Sequence, residues 1–283
     1  MVTAKGENWL YKTLIKIEGP DRFEFLQGLV TQDVRILTYK KILYTCMLSS
    51  QGRFEYDFFL IEEEESILLV CDPSFTEPLL KKFRFFKLRA QVFFEVLEDK
   101  KIIHSISKDQ LKSQKDGFLD PRHPALGYIQ ILDHQGIGAD ISYEEFEVLR
   151  IQHAIPEGAK DMTFGKSIIL ENNFEEIQAI SWDKGCYMGQ ELIARVKHQG
   201  LVRKRLVPVY SPDAEYIFNA SLYFEGSAIG KIKSSLGSWA LALCRVEAIQ
   251  KSLETRTPVT TQDGIAMTFN LEKTVCRSAI ISD

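Results

Sequence analysis

The chain has 283 residues, of which 45% are hydrophobic and 26% charged, the balance of a globular protein with core material for one large domain or two to three small ones. Its formal net charge of −4 excludes a chain-wide electrostatic grip on nucleic acid, and no apolar run approaches the ~18 residues that a membrane helix needs. Five cysteines at wide spacings, with no CxxC pair and no zinc-finger pattern, argue against a disulfide framework or a metal site; with no signal- or transit-type pattern at the N-terminus, a soluble cytoplasmic protein is expected.

In chain order, residues 9–17 alternate as a strand ending at Gly19-Pro20. Asp21 then stands as N-cap of a helix that carries Phe25, Leu26 and Leu29 on one face. Residues 42–49 and 54–61 read as two strands joined by the polar turn Ser50-Gln51-Gly52-Arg53. A third strand, 66–71, stops at Asp72-Pro73, and residues 74–89 have helical apolar spacing with a basic outer face. The run QVFFEVL follows as another strand, so this region predicts an antiparallel sheet covered by a helix. The polar segment 98–118 is expected to edge it. A strand near 126–132 leads into a helix at 143–153 with Ser142 and Glu145 as capping box. Residues 156–181 read as irregular, and a short helix runs from about Gly189 to His198. After Gly200 the segments 203–210, 221–225, 228–234 and 238–245 are short and β-rich, the pattern of a separate barrel or sandwich.

One stretch carries chemistry: Lys184-Gly185-Cys186-Tyr187-Met188-Gly189-Gln190-Glu191. A thiol just upstream of a helix start and two residues from a lysine sits in positive potential, which favours the nucleophilic, metal-binding thiolate. The other four cysteines lie in apolar, strand-like sequence, where the residue acts as a small inert hydrophobe. On residues alone Cys186 remains open between a reactive and a structural role. Glu191 and Arg195, spaced i,i+4, are equally read as a solvated helix pair. No P-loop, GxGxxG or HExxH is present.

The segment 184–191 resembles the signature of the YgfZ family, which has a mitochondrial branch. The similarity continues through Ala194-Arg195 and Arg203-Lys204-Arg205, and more loosely through Phe25-Leu26-Gln27-Gly28 to Asp33, the Gln51–Phe58 hairpin and Arg150–Pro156. That family is related to the T-protein of the glycine cleavage system, a folate-dependent aminomethyltransferase. The resemblance implies an α+β protein with a three-domain T-protein-like fold around a channel that holds tetrahydrofolate. The domains expected are 1–45 with 118–199, which binds folate, then 46–117, then a C-terminal β-barrel over 200–283.

By the same resemblance, Cys186 with Lys184 would serve iron–sulfur cluster assembly or upkeep through transient contact with iron–sulfur enzymes or assembly proteins, among them radical enzymes that thiolate tRNA. No resident metal is implied, since one thiolate cannot hold a cluster. T-proteins carry a pair of acids after the hairpin glycines; here Tyr56 replaces one and Asp57 remains. The T-protein glutamate facing the pterin is replaced by Gln152, an amide without charge. Arg150, Gln190, Glu191 and Arg203 are the other polar residues expected to meet folate, and Phe146 is either a stacking ring or ordinary core. The basic run Lys197-His198…Arg203-Lys204-Arg205 is either a solvated face or a site for the folate tail. Three functions compete: a folate-binding accessory factor working through Cys186, a one-carbon transferase or demethylase, and a folate-binding module with a structural cysteine. Tyr56, Gln152 and the segment 184–191 favour the first. Direct nucleic-acid binding is not expected.

Overall fold

The computed structural model describes residues 12–106, 117–133, 141–212 and 219–281. Its contacts divide the chain into two compact units, one made of residues 1–143 with 178–190, the other of 144–177 with 191–283.

The first unit is built on a five-stranded sheet in the order β2-β3-β4-β1-β5, every neighbouring pair antiparallel. Its strands are β1 (Thr13–Glu18), β2 (Ile42–Leu48), β3 (Phe54–Glu62), β4 (Ser66–Cys71) and β5 (Phe93–Leu97). Alternation decides the core face. Ile15 and Ile17 of β1, Tyr56, Phe58 and Leu60 of β3, and Ile67 and Leu69 of β4 enter one apolar cluster. Helix α3 (Thr76–Lys87) covers that cluster with Leu79, Leu80 and Phe83 and leaves Lys81 and Arg84 in solvent. Phe83 stacks on Phe94 at 5.5 Å and meets Phe25 edge-on at 5.6 Å, a contact beyond the ~1.5–3 kcal/mol that burying such a side chain contributes.

The short helices α1 (Arg22–Gln27) and α2 (Leu37–Lys40) fill the β1–β2 connection. Asp21 precedes α1 as expected, but its carboxylate accepts from the Gln91 backbone N–H at 2.7 Å rather than capping the helix. All seven residues of β2 are buried, so the sheet is covered on its second face too. There Arg122 lies over the rings of Tyr44 and Phe59, at 5.3 and 4.8 Å. The expected boundary at 45/46 falls inside β2, and β1 pairs with both β4 and β5. The polar segment 98–118 contributes a strand of its own: β6 (Lys100–Ser105), β7 (Gly117–Leu119) and β8 (Tyr128–Asp133) form a second sheet in the order β6-β8-β7. Residues 9–11 of the first expected strand lie outside the described residues, as do 107–116 and most of the 133–138 loop.

The second unit carries a closed six-stranded barrel, β10-β11-β12-β9-β14-β13. Its strands are β9 (Lys204–Tyr210), β10 (Ser221–Phe224), β11 (Ser227–Leu236), β12 (Trp239–Arg245), β13 (Val259–Thr261) and β14 (Ala266–Phe269). Closure leaves no edge strand. Val209, Ile232, Cys244 and Met267 share one face of these strands, and Leu206 and Leu241, on the other, join the same apolar cluster. Helix α7 (Val246–Thr255), absent from the sequence reading, packs Ile249 into the same core. The other helices are α4 (Tyr143–Gln152), α5 (Gly158–Asp161) and α6 (Gln190–His198), close to the expected limits for α4 and α6.

Candidate functional site

Of the five cysteines, Cys46, Cys71, Cys244 and Cys276 are buried and Cys186 is exposed. Burial pushes the thiols of Cys71 and Cys244 up to about 12 and that of Cys276 up to about 11, and it raises Cys46 as well. These four are inert packing groups, as the apolar sequence around them implied.

Cys186 rides on a segment that the first unit holds tightly. Thr31 Oγ1 donates to the Ala179 carbonyl at 2.7 Å, and the Ser181 N–H donates to the Thr31 carbonyl at 3.0 Å. The Met188 N–H reaches the Gly28 carbonyl at 3.1 Å, and Met188 packs against the apolar cluster under the sheet. Gly189 has φ +83°, and a Cβ there would meet the Ser49 carbonyl oxygen at 2.5 Å and Gly52 Cα at 3.0 Å. Only glycine fits so close to the β2–β3 turn. Three segments far apart in sequence, 27–33, 49–53 and 178–190, therefore meet here.

Lys184 is the main clasp. It is 6% exposed, and its Nζ donates to the carbonyls of Gln27, Val30 and Gln32 at 2.8, 2.8 and 2.9 Å. Burial pulls its pKa down to about 8; the Asp33 carboxylate opposes that shift and the Arg35 guanidinium reinforces it. The sequence placed this ammonium beside the thiol as an activator, but its hydrogen bonds run to the 27–32 backbone. Tyr187 lies 5.1 Å from Nζ, ring to cation, and burial raises its phenol, whose oxygen has no hydrogen-bond partner among the described residues. Gln190 Oε1 accepts from the Tyr187 N–H at 3.3 Å and so braces the loop that carries the thiol.

Asp57 lies on β3, 8% exposed, and its carboxylate accepts from the Tyr44 hydroxyl. It is therefore not an open acid. Tyr56, on the opposite face, is core and meets Phe75 edge-on at 5.4 Å. The sequence did not signal a buried polar cluster nearby: Arg122 forks onto Asp120 at 2.7 and 3.0 Å, with His104 Nε2 at 3.6 Å from the same carboxylate. Burial lowers the His104 pKa to about 4 despite that carboxylate.

In the second unit, Arg150 is fully buried. Its Nε donates to Glu147, its Nη1 to Asp161 and the Ile155 carbonyl, and its Nη2 to Glu147 and Ser234. All five N–H donors are engaged. Desolvation by burial opposes its charge, but the surrounding carboxylates outweigh it and raise the pKa further. Phe146 is 1% exposed. Neither side chain has surface to offer a pterin, so the residues fit folate only in part. Gln152 is half-buried, and Glu191 and Arg203 are exposed. The basic run disperses: Arg205 is buried against Glu176 at 2.6 Å, Lys197 pairs with Glu175, and Lys204 lies on the barrel wall. Among the described residues no group of three or more His, Cys, Asp or Glu side chains could hold a metal ion.

Residues 203–274 match the family model of the CAF17 C-terminal beta-barrel domain. The aminomethyltransferase T of the glycine cleavage system from Bartonella henselae superposes with a TM-score of 0.71 over 93% of this chain and 83% of its own, at 15% identity. That likeness establishes the T-protein-like fold alone. Among curated proteins, the mitochondrial iron–sulfur cluster assembly factor IBA57 of Mus musculus is 30% identical, over 87% of this chain and 79% of its own length. The IBA57 homolog of Pyricularia oryzae is also 30% identical, over 83% and 70%, and the Homo sapiens protein 29% identical, over 90% and 81%.

These relatives are mitochondrial, which overturns the expectation of a cytoplasmic protein. The relatives also move the family assignment from YgfZ to its IBA57 kin and lend no support to tRNA modification. At 30% identity over 79% of the mouse protein and 70% of the Pyricularia protein, the chain belongs to the IBA57 family of iron–sulfur cluster assembly factors.

Proposed function

We propose that this protein serves iron–sulfur cluster assembly or upkeep by presenting Cys186 as a single, positioned thiol ligand to a cluster in transit. The observation that carries the reading is the contrast among the cysteines: one exposed, on a loop clasped by Lys184 and Met188, and four buried. A cluster needs about four ligands, and this chain brings one cysteine to its surface. The remaining ligands then come from a partner in the assembly machinery, and the cluster is cargo, bound only while both proteins touch it. A fixed loop suits that task, because a ligand already held in place loses little conformational entropy on engagement.

The experiment is Cys186→Ala in a strain lacking the endogenous factor. The variant is expected to fold, with an unchanged thermal transition, and to fail to restore the activity of iron–sulfur enzymes. Full complementation refutes the role. A direct check on the native chain is alkylation followed by intact mass: one adduct of five before unfolding, five after.

Folate binding belongs to the same reading by family resemblance, with the half-buried Gln152 as a polar contact. Titration with tetrahydrofolate, comparing wild type with Gln152→Ala, tests it apart from the thiol. No step is assigned to the folate. Assay for methylene-tetrahydrofolate formation separates this reading from a one-carbon transferase, and the burial of Asp57 against Tyr44 predicts that turnover is absent.

A further inference from the structure

The outer wall of the barrel carries a groove of about 440 Å³ lined by Lys204, Lys231, Lys233 and Arg245, with Ser221 and the backbone of Gly230 between them. Its shape follows from two irregularities in β11. Leu222 pairs with Gly230 but Tyr223 pairs with Ala228, which leaves Ile229 as an extra residue. Ile232 pairs with Ala242 but Ser234 pairs with Leu241, which leaves Lys233 as a second one. Bulges re-aim side chains and deepen local twist, and both extra residues line the groove. Between them, Gly230 lies so close to β12 that a Cβ would stand 2.3 Å from the Leu243 carbonyl oxygen. It would also stand 2.6 Å from the buried Cys244 sulfur, so only glycine fits between the two strands here.

The charges are arranged against the barrel's own stability. Lys204 and Arg245 are direct cross-strand partners, a like-charge pair that weakens a sheet. Lys231 and Lys233 follow on the adjacent strand. No carboxylate lines the groove, and among the described residues none of the four cations forms a salt bridge. Arg245 is steadied from its own side, Nη2 donating to the Ala228 carbonyl at 2.6 Å. The nearby Asp161 is held by Arg150 and Ser234. Burial lowers the Lys233 pKa, and Lys231 and Lys204 lower it further while Asp161 opposes. Four converging positive charges on a chain of net charge −4 form a local well for anions.

We propose that this groove binds a small polyvalent oxyanion, a ligand carrying two or more phosphate or carboxylate groups. Its volume lies in the range of small-ligand sites. No aromatic ring lines it, so it lacks the stacking platform by which single-stranded nucleic acid is held. The reading is independent of Cys186 and of folate.

Calorimetric titration of the full chain with tripolyphosphate and, separately, with citrate tests it at low and raised salt. Binding is expected for at least one, weakening with salt, and the tighter of the two identifies phosphate or carboxylate as the source. Lys231→Gln combined with Lys233→Gln is expected to weaken it by about tenfold or more while removing like-charge repulsion, so that the ligand-free variant melts no lower than wild type. Lys251→Gln, whose ammonium pairs with Glu225 instead, is expected to bind as wild type does. Arg245→Gln is the second groove variant should the double variant fail to fold. No binding of either anion, or binding unaltered in the groove variants, overturns the proposal. So does groove-dependent binding of oligouridylate or a glutamate-rich peptide when both small anions fail.

Discussion

Replacing Lys184 with methionine separates a clasp from an activator of the thiol. The side chain keeps an unbranched apolar stem, one atom shorter, and loses three charge-assisted bonds, to the carbonyls of Gln27, Val30 and Gln32. Each such bond contributes about 1.5–3 kcal/mol net, but three on one ammonium are not additive, and losing a buried charge returns part of its desolvation cost. The pull of its pKa down to about 8 marks that cost. A net loss of about 3 kcal/mol follows, which for a unit of this size lowers the melting temperature by roughly 6–12 °C. Calorimetry reads that shift. Limited chymotrypsin digestion reads the local effect, since Tyr187, 7% exposed in the native loop, becomes a cleavage site once the loop lifts. A melting point within about 2 °C of wild type, with Tyr187 cut no faster, would show that water replaces the ammonium and that the loop is held by other means.

Gly189→Ala drives a methyl into the Ser49 carbonyl at a φ of +83°; a loss of about 2–4 kcal/mol in urea unfolding is expected, and a neutral result would mean that the turn yields. Arg150→Met leaves Asp161 buried without its cation and Glu147 with Lys160 alone and should cost about 3–5 kcal/mol; folate titration of any folded fraction is expected to match wild type, because the arginine has no free donor. His104 governs an acid limb. Its imidazole takes a proton near 6.5 when unfolded but only near 4 when folded, so between those values the unfolded state binds more protons and stability falls as pH falls. From pH 7 to pH 5 the loss is about 2 kcal/mol, and His104→Gln should flatten it in paired urea titrations; an undiminished slope assigns the limb to other groups.

The first sheet was legible because its pattern is local. β3 and β4 place alternate residues such as Phe58, Leu60 and Leu69 on one face, and the turns between them carry their own glycine or charge signals. The segment 184–191 was legible as chemistry but not as mechanics: the partners of Lys184 lie 152 to 157 residues earlier, beyond any periodicity. Strand β6 was hidden because Lys100 and Lys101 precede its two buried isoleucines. Helix α7 had a readable face in Val246, Ile249 and Leu253, masked by running straight on from the apolar strand β12. Arg150 read as a ligand contact because a buried arginine and an exposed one look alike until its carboxylates are placed. The barrel groove had no signal at all, since Lys204, Lys231, Lys233 and Arg245 converge only through pairing register.

The return of residues 178–190 to the first unit has a consequence during synthesis. The carbonyls of Gln27, Val30 and Gln32 wait for Lys184, so a nascent chain cannot finish this unit until more than half of its length has left the ribosome. Until then the 27–32 turn must borrow hydrogen bonds from water or from a chaperone, and a premature stop anywhere before Lys184 would strand it in that unfinished condition.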